Sequence, residues 1–168
     1  MYQITPQTLP EQQTLAVRGK ADAEHIGSWL AAAYRAVGDH AARVGASFSG
    51  PPYARYRPLD TELCEFEIEA GFPIESPAAG SSDGAVESAT LPGGRAATTW
   101  HVGPYDSLAC AHTAIDTWIV ERGGATDGPC WEVYYSDPVS ESDASRWRTE
   151  VVKVYGLPTV GFGYRPPT

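Results

Sequence analysis

Two stretches of this chain echo each other at a fixed distance. Leu30, Ala33, Val37 and Ala41 have counterparts in Leu108, Ala111, Ile115 and Ile119, each 78 positions further on. The turn and strand that follow keep the same distance, with Gly50 matched by Gly128 and Tyr56 by Tyr134. A spacing that survives a helix, a turn and a strand marks a tandem duplication. The folding problem for these 168 residues is therefore to form one small unit twice and dock the two copies.

Each copy reads as strand–helix–strand–strand. In the first, about residues 2–74, Thr14–Arg18 reads as a strand. Ile26, Leu30, Ala33, Val37, Ala41 and Val44 then recur at helical spacing. Gly45 is the expected helix stop. Strands are expected at Tyr53–Arg57, ended by Pro58, and at Glu62–Glu69, ahead of Gly71-Phe72-Pro73. Residues 75–86 are rich in Pro, Gly, Ser and Ala and read as a linker. The second copy, about residues 87–164, repeats the plan. It has a strand over Arg95–His101 and a helix over about 107–122, capped by Asp106 or Ser107. A strand around Trp131–Tyr135 follows, with a last one over Trp147–Tyr155, closing at Gly156-Leu157-Pro158. The expected fold is α+β in a single domain. It is an antiparallel-rich sheet with both helices on one face and a ligand groove between the halves. Because the helices cover one side, the groove is expected on the other.

The duplication also shows where the copies differ. At the common spacing Glu132 falls opposite Ala54, and Trp131 opposite Tyr53. Glutamate is depleted in strands, whereas Trp, Val and Tyr are favoured. An acid on one copy only points to a one-sided site. Side chains on a strand alternate. Trp131, Val133 and Tyr135 therefore share one face, and Glu132 and Tyr134 the other. Trp100, Tyr105, Trp131, Tyr134 and Trp147 can supply ring faces for stacking and cation–π contact, with Tyr53 and Tyr56 as first-half wall residues. Such a site suits a flat, greasy cation, or acid/base chemistry.

Charge narrows the partners. A net charge of −9 argues against nucleic acid, whose phosphates need clustered Lys and Arg, and suits cationic ligands or basic proteins. Glu65, Glu67 and Glu69 line one side of their strand, opposite Cys64, Phe66 and Ile68. Three aligned acids repel each other, so that face must meet water or cations. The three cysteines, Cys64, Cys110 and Cys130, lack CxxC spacing, which disfavours a disulfide framework and a zinc site. Cys110 and His112 sit on different sides of a helix and are discounted as a metal pair. No cofactor is expected, since GxSxG, HExxH, P-loop and GxGxxG patterns are all missing. With no signal sequence or long apolar run, the expected location is the cytoplasm, away from membranes.

The doubled strand–helix–strand–strand plan resembles the GyrI-like effector-binding domain. So do His101-Val102-Gly103-Pro104-Tyr105 opening a helix and Trp131-Glu132-Val133-Tyr134 with Asp137-Pro138 just beyond. The resemblance covers about Tyr2 to Tyr164. It implies a central groove for hydrophobic, often cationic, aromatic compounds. Glu132 matches the family's pocket-facing glutamate, and Tyr134 the tyrosine two residues on. Many members carry a DNA-binding module. This sequence shows no helix-turn-helix, so it is similar to the stand-alone members. Some of those bind drugs. A subset is associated with hydrolysing cyclopropane-containing genotoxic natural products, and a namesake group modulates DNA gyrase. The resemblance therefore implies a multidrug-type binding protein first. Next comes a detoxifying hydrolase with Glu132 acting on water and Tyr134 or Tyr105 on the leaving oxygen. Third is an acidic protein-interaction partner.

Overall fold

A computed structural model describes residues 1–60, 62, 65–76, 84–136 and 140–157. Cys64, most of the linker, the Asp137-Pro138 pair, Pro158 and Tyr164 lie outside the described residues. The elements run β1 (Thr5–Leu9), β2 (Gln12–Asp22), α1 (Ile26–Val44), β3 (Tyr53–Asp60), β4 (Glu65–Pro73), β5 (Val86–Leu91), β6 (Gly94–Val102), α2 (Leu108–Glu121), β7 (Cys130–Tyr134) and β8 (Arg148–Val154). The strands form one curled antiparallel sheet in the order β1-β6-β8-β7-β3-β4-β2-β5, with both helices on one face.

The strand order is its own mirror about the β7–β3 junction. There Glu132 pairs with Ala54, its counterpart in the other copy, so the seam between the copies is a direct strand pairing. The helices form where the periodicity predicts. Gly45 ends α1 in the left-handed conformation, at φ 70°, and donates back to the Ala41 carbonyl. Ala33, Val37 and Ala41 of α1 pack on β2 and β4. Leu108, Ala111, Ile115 and Ile119 of α2 pack on Ala97 and Val151. Gly128 lets β7 start tight against its neighbour. A Cβ there would stand 2.0 Å from the Val154 carbonyl oxygen.

Two strands were not legible in the sequence, and they connect the copies. β1 pairs with β6 of the second copy, while β5 pairs with β2 of the first, so each copy lends its leading strand to the other. β5 begins at Val86, the last residue assigned to the linker. β1 is an exposed edge strand of mixed polarity, where Pro6 is tolerated.

The face away from the helices has its own core: Ala16, Tyr53, Leu91, Ala96, Trp131 and Val152, joined by Leu9 and Ala89. Leu9 and Leu91 come from opposite edge strands, so the curl of the sheet brings its edges together over Trp131. This fills the side on which a groove was expected. No helix of the described residues is long and apolar enough to cross a membrane.

Candidate functional site

Glu132 is on the helix side of the sheet, in the gap between α1 and α2, and is 7 % exposed. This corrects the expectation of a groove on the far side. Strand pleating forces the placement. Glu132 is in register with Ala54 and with Val151, and both of those pack among helix-side residues.

Both carboxylate oxygens are engaged. The Tyr134 hydroxyl donates to Oε2 across 2.6 Å, and Nε2 of His112 donates to Oε1 across 2.9 Å. Because the Tyr134 proton is committed to Glu132, the Tyr56 hydroxyl, 2.8 Å away, donates to the Tyr134 oxygen. A relay thus runs from Tyr56 through Tyr134 to Glu132, with His112 closing the other end. Burial, reinforced by the negative charge of Glu132, holds the Tyr134 and Tyr56 phenols well above the usual tyrosine range. His112 is pushed up to about 9 by its hydrogen bond to Cys130 and by that to Glu132, so it is an imidazolium at neutral pH.

Aromatic rings surround this relay. Tyr105 meets Tyr134 edge-on at 5.6 Å and stacks on Trp147 at 4.7 Å. The turn seen in the sequence positions it. Buried His101 donates through Nε2 to the Pro104 carbonyl and contacts the Tyr2 hydroxyl at Nδ1. Gly103 turns at φ 133°, a value that favours glycine. His101 is therefore a staple of the turn. Tyr34 of α1 completes the far wall. It packs in the cluster that holds Tyr56 and Tyr134, and its hydroxyl donates to the Tyr53 carbonyl. Thr149, in register with Tyr134, buries its hydroxyl without a hydrogen-bond partner among the described residues. Such an orphan costs about 1–3 kcal/mol.

The structure brings together Glu132, Tyr134, Tyr56, Tyr105 and Trp147. It sends Tyr53, Trp131 and Trp100 to the far face. Tyr53 and Trp131 are core residues there, and Trp100 is part-exposed against Tyr135 and under the Arg148 guanidinium. Their odd–even relation to Glu132 and Tyr56 along the strands, or across the register, already required this. The acidic stripe is also on the far face, and cations meet it from both flanking strands. Glu69 accepts from Arg18 at 3.0 Å, lies 3.7 Å from Arg55 and accepts from the Tyr53 hydroxyl. Arg57 pairs with Glu67.

Sequence reasoning missed His112 and Tyr34. A signal for them existed: His112 stands 78 positions after Tyr34, so the two are counterparts, but along the helices the repeat is marked by its apolar pairs, and this pair is polar. Among the described residues no cluster of His, Cys, Asp or Glu is arranged to hold a metal ion.

A family model described as GyrI-like small molecule binding domain matches residues 2–152. Among solved structures, the C-terminal domain of EcmrR superposes with a TM-score of 0.80 at 19% identity, covering 94% of this chain and 99% of that one. Against EcmrR in its complex with DNA, the chain spans 58% of the relative's length. A hydrolase from Listeria innocua matches at TM-score 0.65 and 12% identity, over 91% of each chain. SAV2435 bound to tetraphenylphosphonium matches at TM-score 0.59 and 10% identity, over 93% of this chain and 94% of that one. These likenesses establish the fold. Among curated proteins, no sequence matches this chain.

Proposed function

This chain belongs to the GyrI-like small molecule binding domain family, and from that premise we propose that it binds hydrophobic, cationic aromatic compounds between its two helices. Glu132 is the charge partner, and Tyr34, Tyr56, Tyr105, Tyr134 and Trp147 are the walls. The observation that carries this reading is a buried carboxylate at the seam, ringed by phenols whose edges and faces can take an aromatic cation. The buried Thr149 hydroxyl gives a ligand one polar group to satisfy. The likeness to a fold solved with tetraphenylphosphonium supplies a probe. Calorimetric titration of that cation into the protein is expected to show saturable binding. Glu132→Gln is expected to weaken it at least tenfold, about 1.4 kcal/mol, because the charge is removed while the shape persists. Equal affinity in wild type and variant would sink the proposal.

The acid/base geometry supports a second reading. Glu132, held between a phenol and an imidazolium, can take a proton from water as its oxygen bonds to an electrophilic ring carbon; the ring C–C bond at that carbon breaks, and its electron pair passes through conjugation to a carbonyl oxygen that Tyr134 or Tyr105 protonates. Mass spectrometry of a cyclopropane-bearing alkylator with the protein separates the two. A water adduct formed over many equivalents, and lost in Glu132→Gln, supports hydrolysis. Unchanged compound that still raises the melting temperature supports binding alone.

A further inference from the structure

The site already contains a cation. His112 and Glu132 form an ion pair at 2.9 Å, at the end of the relay opposite the aromatic rings that would receive a ligand. Lys153, on the same face of β8 two residues from the partner of Glu132, is engaged by Asp116 at 2.7 Å. The duplication gives an independent clue. In the first copy the counterparts of Glu132 and His112 are Ala54 and Tyr34, so the acid and its cation both occur on one side only. A symmetric scaffold needs neither. Together they hold one negative charge and one positive charge in a place built otherwise of rings.

We propose that His112 is a resident counter-ion which an incoming aromatic cation must displace from Glu132, so that ligand binding is coupled to loss of the His112 proton. This inference rests on the ligand class proposed above and adds a residue that sets selectivity. A ligand whose charge is weakly hydrated and spread over rings gains the carboxylate and the aromatic walls. A small hydrated cation gains only the carboxylate, at the cost of its water, and does no better than the imidazolium it replaces.

The groups facing His112 define what else can titrate. From β7 come Cys130, Glu132 and Tyr134, and from its own helix Asp116, paired with Lys153 of β8. Tyr56, Tyr34 and Tyr105 stand behind Tyr134. Burial keeps the Tyr34, Tyr56 and Tyr134 phenols neutral well past pH 9, so they do not contribute there. His112 loses its proton near pH 9 in the free protein. A bound cation repels the imidazolium and lowers that pKa. By linkage, affinity then rises with pH through the interval between the two values, by up to about tenfold for each pH unit.

The test titrates tetraphenylphosphonium, itself without a titratable group, into the whole chain at pH 7 and pH 9.5. Calorimetry at pH 7 is repeated in buffers of different ionisation enthalpy. The expected result is a Kd at least tenfold lower at pH 9.5, with proton release on binding at pH 7. Cys130→Ser, which alters one of the two hydrogen bonds that raise His112, is expected to narrow that dependence without removing it, and His112→Gln to abolish it. If His112→Gln fails to fold, the wild-type imidazole resonance, followed by NMR with and without the cation, reads the same shift in pKa. Binding with a pH-independent Kd and no proton exchange overturns the inference and leaves the ligand class standing. No binding at either pH overturns both.

Discussion

Two buried glutamates, one on each face of the sheet, are built differently. Glu69 on the far face is 8 % exposed, Glu132 on the helix face 7 %. Each accepts a hydrogen bond from a tyrosine, Tyr53 for Glu69 and Tyr134 for Glu132. The difference is in the cation. Glu69 lies between two guanidiniums, Arg18 and Arg55, which stay charged at any pH the fold survives. Glu132 has one imidazolium, which does not. A permanent ion pair between neighbouring strands fixes their register and offers a ligand nothing to exchange. A titratable pair beside aromatic rings can be opened. Burial alone therefore does not distinguish a structural acid from a binding acid, whereas the kind of partner does.

The comparison can be broken most forcefully at Glu69. Glu69→Gln leaves Arg18 and Arg55 facing each other across a neutral amide. Because Arg18 is well exposed, the loss is discounted to about 2 kcal/mol of unfolding stability. Urea unfolding is expected to show it, with tetraphenylphosphonium binding unchanged. A variant that binds worse but unfolds as before would mean the roles of the two acids are reversed.

Next in size is the pH dependence of stability. His112 is raised in the folded protein from about 6.5 to about 9. A raised pKa means that the folded state holds the proton more tightly. The stabilisation is therefore fully present below pH 6.5 and is lost as pH rises through 9. With the ring partly solvent-exposed, on the order of 1 kcal/mol is expected. Unfolding free energies of the wild type at pH 6 and pH 9.5, each referenced to His112→Gln, isolate it. A wild-type-to-variant difference that stays constant over that range would remove His112 from the pair.

The smallest effect sharpens the contrast between the tyrosines. Tyr56→Phe removes only the outermost link of the relay, and a loss of about 0.5–1 kcal/mol is expected. Tyr53→Phe takes away a direct, buried hydrogen bond to a carboxylate and is expected to cost more, about 1.5 kcal/mol. Equal losses would show that the relay is as tightly held as the Glu69 contact.

Much of this was readable in the chain. Apolar residues recurring at three and four positions located both helices, and the mismatch of Glu132 with Ala54 singled out the acid. Period-two alternation separated Glu132 and Tyr134 from Trp131 correctly. What failed was the step from strand faces to the whole sheet. Nothing in Leu9 or Leu91 says that opposite edges curl together over Trp131, because that contact belongs to the twist of eight strands and not to any local pattern. His112 was hidden for another reason. It borders the apolar stripe of α2 and resembles a solvated helix residue until β7 is placed beneath it. Likewise, the acids of β4 seemed to repel each other until β2 and β3 brought their arginines alongside.

The exchange of leading strands between the copies has a consequence for the history of the chain. β1 completes the second half and β5 the first, so neither half is a finished sheet without the other's first strand. This is the arrangement that two identical half-length chains reach when they dimerise by trading their N-terminal arms. Joining such a dimer end to end preserves every contact and frees the twins to diverge. Once they were on a single gene product, an acid and its imidazole could arise in one twin without being imposed on the other. A homodimer, whose two halves must mutate together, has no route to a lone Glu132.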